Sequence, residues 1–138
     1  MSWNDRVIAE FRANDGVTKG WGKSLLVMHT TGARSGEPRL TPVMARRDDS
    51  GGWFVAAAAG GAPTHPAWYH NLVAHPRFDV EAHIDGDVQT VPVTAHELDG
   101  AEYDAAWRLF AGRSPVFEEF AAKAGRRIPV FHLIPVVE

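Results

Sequence analysis

A polar stretch between two apolar runs places the strongest constraint on how this chain folds. The stretch, HTTGARSGEPRLTP, covers residues 29–42 and directly follows the apolar run at 25–28. Because apolar residues stand there on consecutive positions, that run predicts a buried strand covered on both faces. A second strand is predicted over 40–47. The pattern therefore predicts two neighbouring strands joined by a polar loop.

The composition of the loop is suited to binding an anion. Gly32 and Gly36 can adopt positive φ, a geometry in which successive backbone N–H groups converge on an anion. Arg34 and Arg39 add planar, permanently charged groups suited to phosphate or carboxylate. The loop is interpreted as the site for the acidic end of a ligand. The alternative, a polar β-hairpin with solvated arginines, is somewhat favoured by this stretch taken alone.

The rest of the chain shows short strands in hairpins, with helices between them. Six strands are predicted in all, over residues 24–30, 40–47, 53–59, 78–84, 88–95 and 128–136. Helices are predicted over residues 1–15, after Pro66, and over the aromatic stripes 103–110 and 117–124. Because strands outnumber helices and lie in hairpins rather than β-α-β units, we expect a mainly β (α+β) fold. Its predicted architecture is a small six-stranded antiparallel barrel with flanking helices.

Length and composition limit the domain organisation and the partners. A chain of 138 residues is expected to form one domain over 1–138, with the N-terminal helix at 1–15 and the barrel with its flanking helices at 24–138. The absence of cysteine fits a reducing cytoplasm. A net charge of −3 offers no global basic field for nucleic acid. No signal peptide or membrane span is recognisable, so we expect a cytoplasmic protein, monomeric or a weak homodimer.

Common catalytic and metal-binding motifs are missing from the chain. His65, His70 and His75 stand at i, i+5 spacing, which turns them through about 140° per step on a helix, so no metal site is predicted. There is also no HExxH, GxSxG, P-loop or GxGxxG motif. The remaining features are the loop, a strand end of four alanines and two glycines, and a helix start carrying Trp68. Together they could enclose a flat ligand with an acidic tail, although the alanines could equally serve tight packing of another element.

Three motifs, TTGARSGEPRLTP, GGAPTHPAWYHNL with the following HP, and RRIPVFHL, resemble those of the deazaflavin-dependent nitroreductase family. Their order and spacing agree from about Leu25 to the end of the chain. The resemblance implies an FMN-binding-split-barrel-like fold, a six-stranded split β-barrel. It also implies the cofactor coenzyme F420, an 8-hydroxy-5-deazaflavin with a phospholactyl-oligoglutamate tail. The implied activity is hydride transfer from the reduced cofactor to a small electron-poor acceptor, namely a quinone, an enone or a nitroaromatic.

The resemblance also implies which residues hold the cofactor. The phosphate and the tail would contact Arg34, Ser35, Gly36 and Arg39. The ring would contact the second strand, the alanine-rich strand end and the following helix, at Leu40, Thr41, Pro42, Val43, Met44, Ala56, Ala57, Ala58, Ala59, Ala67, Trp68, Tyr69 and Asn71. The acceptor pocket would contain Ser114, Phe117 and Phe120. No catalytic side chain is assigned, because the chemical step belongs to the cofactor and the proton can come from solvent.

The chain departs from the family pattern at three places. Ala33 replaces a basic residue, and Ala58-Ala59 replaces a polar or basic pair, so cofactor binding should be weaker. Phe117 and Phe120 stand where tyrosines are frequent, which favours quinones or apolar enones over nitroimidazoles. Two alternatives follow from these departures. They are a cofactor-free binder of a fatty acid or similar acidic lipid, and an FMN-dependent reductase of the same fold.

Overall fold

A computed structural model describes residues 2–49, 51–112 and 114–137. Within them six antiparallel strands close into a barrel: β1 (Leu25–Thr31), β2 (Pro38–Arg47), β3 (Trp53–Ala56), β4 (Arg77–Ile84), β5 (Asp87–Glu97) and β6 (Val130–Pro135). The strand order is β1-β2-β3-β6-β5-β4, and β4 closes the barrel onto β1. The expected six-stranded antiparallel barrel with flanking helices is thereby confirmed.

In the described part of the chain, four helices flank the barrel: α1 (Trp3–Ala13), α2 (Ala67–Ala74), α3 (Gly100–Ala111) and α4 (Val116–Ala124). Helix α2 lies between β3 and β4, and α3 and α4 lie between β5 and β6. The two predicted aromatic stripes correspond to α3 and α4. Among the described residues, no helix is long and apolar enough to cross a membrane.

Strand alternation fills the barrel. In β4, Phe78, Val80 and Ala82 are buried in the interior cluster, whereas Asp79 lies exposed on the other face. Successive side chains of a strand point to opposite faces, so the pattern seen in the sequence gives one apolar face. Leu26 and Met28 of β1 join the same interior cluster.

Helix α1 covers the outer face of β1. Ser2 caps its N-terminus in a reciprocal capping box with Asp5, which satisfies two helix-end N–H groups. Its residues Val7, Ile8 and Phe11 are buried against Leu25 and Val27 in a cluster of their own. Strand β1 is therefore apolar on consecutive positions because both of its faces are covered.

The alanine-rich strand is shorter than predicted. It was expected over 53–59, but β3 ends at Ala56 and a 3₁₀ turn occupies Ala59–Gly61. Ala57 still donates from its N–H to Pro129 O at 2.8 Å, after which Ala58 is helical and Ala59 has a φ of 50°. The chain thus leaves the sheet where its hydrogen bonds to the last strand end. That last strand is likewise shorter than predicted, at Val130–Pro135 rather than 128–136.

Candidate functional site

A cleft of about 760 Å³ opens at the end of the barrel where β1 is connected to β2. One wall is the loop at 32–37, and the other is the first half of α2. The lining residues are Asn4, Gly32, Ala33, Arg34, Ser35, Arg39, Thr41, Ala67, Trp68, His70 and Asn71. The structure thus brings together two motifs that lie more than thirty residues apart in the chain, here Arg34 and Trp68.

Backbone hydrogen bonds hold the loop in a tight turn. The N–H of Gly32 donates to Glu37 O at 2.8 Å, and the N–H of Gly36 donates to Gly32 O at 2.9 Å. Gly36 has a φ of 71°, which favours glycine. A side chain at Gly32 would run into the hydroxyl of Ser35. The positive φ of Gly36 therefore favours glycine, and the absence of a side chain at Gly32 leaves room for the Ser35 hydroxyl.

Helix α2 holds the loop from the opposite wall. Oδ1 of Asn71 accepts the backbone N–H of Ala33 at 2.9 Å, and Asn71 is buried. Asn71 therefore fixes the loop in addition to lining the cleft. Ala33 lacks a charged side chain, yet its backbone makes the bond that joins the two walls.

The two arginines of the loop are available to a ligand. Arg34 and Arg39 are both exposed and line the cleft. Among the described residues, neither guanidinium has a hydrogen-bond or ion-pair partner. Two permanently charged groups with unused donors beside the Gly32–Gly36 turn have the chemistry suited to phosphate or carboxylate.

Thr30 is a candidate that the sequence prediction missed. It lies directly opposite Arg39 in the β1–β2 ladder, so the two side chains are on the same face of the sheet. Thr30 is only 3% exposed, and its hydroxyl has no hydrogen-bond partner among the described residues. A buried unpaired hydroxyl is costly, and with Arg39 as its neighbour Thr30 is therefore a candidate ligand contact, although it is not among the residues that line the cleft. Its position in the motif TTGARSG was the available signal.

The residues predicted along β2 do not share one face. Arg39 and Thr41 line the cleft, and Val43 packs on the interior cluster. Met44 packs instead on the cluster formed by α3 and α4. Leu40 and Pro42 lie on the same outer face as Met44, because side chains alternate along a strand. Only one face of β2 can therefore contribute side chains to the cleft.

The predicted strand end and acceptor pocket form a second group beside α4. Ala56, Ala58 and Phe117 are buried in one apolar cluster, against which Met44 and Phe120 are packed. Phe117 is 6% exposed and makes ring contacts with Phe110 and Phe120. Ser114, just before α4, donates its N–H to Phe110 O. Neither Phe117, Phe120 nor Ser114 is among the lining residues of the cleft.

Arg126 is a second residue that the sequence prediction missed. Its guanidinium donates to the backbone carbonyls of Ala57, Ala58, Ala62 and Thr64 at 3.1–3.3 Å. It also lies 3.1 Å from Nδ1 of His65. All five acceptors belong to one segment, residues 57–65, which connects the strand end to α2. The motif RRIPVFHL contains Arg126, but no pattern in the sequence singles it out.

His65 joins this segment to α2. Its ring stacks on Tyr69 at a centroid distance of 4.2 Å, and the hydroxyl of Tyr69 donates to Glu97 Oε1 at 2.9 Å. Burial, followed by the charge of Arg126, lowers the pKa of His65. A neutral imidazole can accept from the guanidinium through Nδ1. Burial and the hydrogen bond to Glu97 raise the pKa of Tyr69, so this phenol stays protonated.

Comparison with known proteins identifies the family. The profile of the F420H(2)-dependent quinone reductase family matches residues 3–135. The chain belongs to this family. Two relatives are the F420H(2)-dependent quinone reductases MT1299 and Rv1261c of Mycobacterium tuberculosis strains. Each is 34% identical over 109 residues, which covers 76% of this chain and 69% of the relative.

Solved structures support the same assignment. An F420-H2 dependent reductase, FDR-A, is 38% identical, with a TM-score of 0.69 over 80% of this chain and 94% of its own. A second structure, described as a domain-swapped dimer, is 36% identical, with a TM-score of 0.71 over 94% of this chain and 92% of its own. The family membership makes the protein an oxidoreductase whose cofactor is coenzyme F420.

The described residues fit this cofactor. An acidic tail requires donors without protein partners, and Arg34 and Arg39 meet this requirement on one side of the cleft, with the buried hydroxyl of Thr30 on the neighbouring strand beside Arg39. A flat ring requires an apolar wall, which Trp68 and Ala67 supply on the other side. Among the described residues, no three histidine, aspartate or glutamate side chains come together to hold a metal ion.

Proposed function

We propose that this protein reduces a small quinone-type acceptor with reduced coenzyme F420 held in the cleft between the 32–37 loop and α2. The observation that carries the proposal is the pair Arg34 and Arg39, exposed in a cleft of about 760 Å³ and without partners among the described residues. The local positive charge contrasts with the net charge of −3. It is the feature expected where an acidic tail binds.

The tail is assigned to the loop. Arg34 and Arg39 would form charge-assisted hydrogen bonds with the phosphate and neighbouring carboxylates, and Ser35 would add a hydroxyl. The turn made by Gly32 and Gly36 lets the backbone approach the anion closely. Because these contacts are far from a reacting carbon, they contribute to affinity rather than to the chemical step.

The ring is assigned to the cleft side of β2, the strand end and the start of α2. Thr41, Trp68 and Ala67 line the cleft, and residues 56–59 carry only methyl side chains of their own. Tyr69 would act behind this wall, because it is held by Glu97 and His65. Leu40, Pro42 and Met44 would support the ring from the outer face of β2.

When bound, the reduced cofactor supplies a hydride to the acceptor. The protein's contribution is orientation and the exclusion of water, which raise the fraction of complexes in reactive geometry. The lining of the cleft includes His70 but no carboxylate. Tyr69 is engaged as a donor to Glu97. We therefore assign no side chain as a general acid, and the proton would come from solvent.

The acceptor is assigned to the apolar group beside α4. Phe120 and Met44, half-buried against the cluster that contains Phe117, would offer ring and thioether surface, and Ser114 is the polar residue just before α4. Such a surface favours quinones or apolar enones over nitroimidazoles, which depend more on hydrogen-bond donors. We further infer a cytoplasmic protein that is a monomer or weak homodimer.

The proposal is tested by titrating the purified protein with oxidised F420 and following tryptophan fluorescence, because Trp68 lies in the cleft. Saturable binding that weakens with salt is expected. Turnover with F420H2 is then measured with menadione and with a nitroimidazole. Faster reduction of menadione supports the acceptor assignment. A Kd of tens of micromolar corresponds to a binding free energy of roughly 6 kcal/mol. If the protein does not bind F420 at such concentrations, the proposal is contradicted.

A further inference from the structure

We propose that Arg126 is a positioning residue for the deazaflavin ring, because its guanidinium fixes the separation between the strand end and α2. This inference rests on the proposed function, since it concerns the strand end at 56–59 and the start of α2, two of the elements assigned to the ring. Arg126 lies just before β6, outside every segment assigned to the cofactor. Its role would be exerted through the backbone that it holds.

The guanidinium contacts the strand end directly. Nη2 of Arg126 lies 3.2 Å from Ala57 O and 3.3 Å from Ala58 O. Both carbonyls lie past the end of β3, and Ala58 O also accepts the N–H of Gly61 at 2.9 Å. Arg126 replaces the missing strand partner and fixes the direction in which the chain leaves the barrel.

The same guanidinium contacts the approach to α2. Nε of Arg126 donates to Ala62 O at 3.1 Å, and Nη1 lies 3.1 Å from Nδ1 of His65. His65 stacks on Tyr69, which is in α2. A single rigid fork thus joins the end of β3 to the helix that carries Trp68. Lysine, with one ammonium on a flexible stem, cannot span these directions at once.

Arg127 provides an internal comparison. It is the next residue and has the same charge, but its Nη2 donates to Leu98 O, and the guanidinium lies over the ring of Tyr103 at 3.7 Å. These contacts tie β6 to α3 and do not involve the 57–65 segment. A variant at Arg127 therefore changes charge and local stability without changing the strand end at 56–59 or the start of α2.

The hydrogen bonds of Arg126 also separate the ring from the tail. All five fall within residues 57–65, and none reaches the 32–37 loop. Loss of Arg126 should therefore weaken binding of the ring itself. Loss of Arg39 should weaken binding only of a ligand that carries the tail.

The experiment uses two probes: oxidised F420, and the same 8-hydroxy-5-deazaflavin without its phospholactyl-oligoglutamate tail. Each is titrated into the wild type, Arg126→Lys, Arg126→Gln, Arg127→Gln and Arg39→Ala. Both Arg126 variants should bind both probes about tenfold more weakly, as expected for losing one or two net hydrogen bonds of positioning. Arg127→Gln should bind both as the wild type does. Arg39→Ala should lose affinity for F420 alone.

A spectroscopic readout separates positioning from general loosening of the fold. At saturation, the shift of the ring's absorption band on binding should be smaller in Arg126→Lys than in the wild type, and unchanged in Arg39→Ala. If Arg126→Gln does not fold, the same titrations with Arg126→Lys and His65→Gln test the inference. His65→Gln breaks one of the five contacts and should give a smaller loss for both probes.

Two results would overturn the inference. One is wild-type affinity of the Arg126 variants for both probes. The other is a loss confined to F420, which would mean that Arg126 contacts the tail. Failure of the proposed function has a different signature, because the wild type itself would then bind neither probe.

Discussion

Asn71 and Ala33 join the two walls of the cleft through one hydrogen bond of 2.9 Å, from the backbone N–H of the loop to a buried side chain of α2. The loop carries Arg34 and leads into β2, which carries Arg39, and the helix carries Trp68. Their separation is therefore set by a contact between residues that have no charge. The site depends on this contact as much as on the arginines.

Replacement of Asn71 should separate geometry from charge. Asn71→Leu removes the acceptor and leaves the Ala33 N–H unpaired, which should cost about 1–2 kcal/mol of stability and weaken F420 binding. Asn71→Asp keeps an acceptor oxygen but adds a negative charge near the tail. Asn71→Asp should be more stable than Asn71→Leu. Its F420 affinity should fall below that of the wild type, and this deficit should be larger at low salt than at high salt. Thermal unfolding and titration at two salt concentrations measure both effects. Equal stability losses in the two variants would contradict the role of the acceptor.

Arg39→Ala should lower cofactor affinity more than turnover. A charge-assisted hydrogen bond in a partly exposed site is worth about 1–2 kcal/mol, so the Kd for F420 should rise roughly five- to thirtyfold. The kcat at saturating cofactor should stay near the wild-type value, because the contact is remote from the ring. Arg108→Ala, an exposed arginine on α3, is the matched control and should change neither. An unchanged Kd in Arg39→Ala would show that the tail lies elsewhere.

Thr30→Val should have opposite effects on the free protein and on the complex. The Thr30 hydroxyl is buried and has no partner among the described residues, so an isosteric methyl removes a desolvation penalty of about 1 kcal/mol. The ligand-free protein should therefore unfold at a higher temperature, while F420 binds more weakly. Thr31→Val, next to it on the opposite face of β1, is the control for β-propensity. A stabilised variant with undiminished F420 affinity would remove Thr30 from the site.

The barrel was predictable because its signals are local. Alternation at Phe78, Val80 and Ala82, and the run of apolar residues in β1, follow from which faces are covered. The end of β3 was not predictable in the same way. Alanines carry little preference for strand, and the chain turns after Ala57 because Pro129 and Arg126 fix its backbone groups.

The site was predictable in part. The arginines, Trp68 and Asn71 meet in one cleft, as their residue types suggested. The consecutive run at 40–44 could have been divided between two faces from the strand period alone. The role of Arg126 could not be predicted from the sequence pattern, because a side chain that bonds to backbone carbonyls needs no partner residue of a particular type.

Glu81 should make the fold sensitive to acid. It is buried on the outer face of β4. Its carboxylate accepts two hydrogen bonds from the guanidinium of Arg12, at 2.6 and 3.0 Å, and Nε2 of His29 lies 2.7 Å from Oε2. The hydrogen bond from Arg12 is the main reason that the pKa of Glu81 is lowered. Because the pKa of Glu81 is lower in the folded protein than in the unfolded chain, its charged form stabilises the fold at any pH above the ordinary carboxyl pKa. This stabilisation is lost as the pH falls through the pKa of Glu81 in the folded protein.

Glu81→Gln should therefore destabilise the protein at neutral pH by about 1–2 kcal/mol, a figure reduced because Arg12 is half exposed. The difference from the wild type should shrink as the pH is lowered below the ordinary carboxyl pKa. Denaturant unfolding across this range measures it. Asp79→Asn, an exposed carboxylate on the same strand, is the control. A difference that is independent of pH would mean that Glu81 acts through packing rather than charge.

Gly61→Ala should disturb the segment held by Arg126. Gly61 has a φ of 87°, and an added Cβ would lie 3.1 Å from Lys123 Cδ and 3.3 Å from the Phe120 backbone. Gly86 has a similar φ of 91° but no atom within 4 Å of such a Cβ, which makes Gly86→Ala the matched control. Both variants bear the backbone strain of about 1–2 kcal/mol, and Gly61→Ala adds overpacking of about 1–3 kcal/mol against α4. Gly61→Ala should therefore be the less stable of the two, and it alone should weaken F420 binding. Equal stabilities would show that α4 yields without cost, and equal F420 affinities would show that the segment at 57–65 does not shape the ring site.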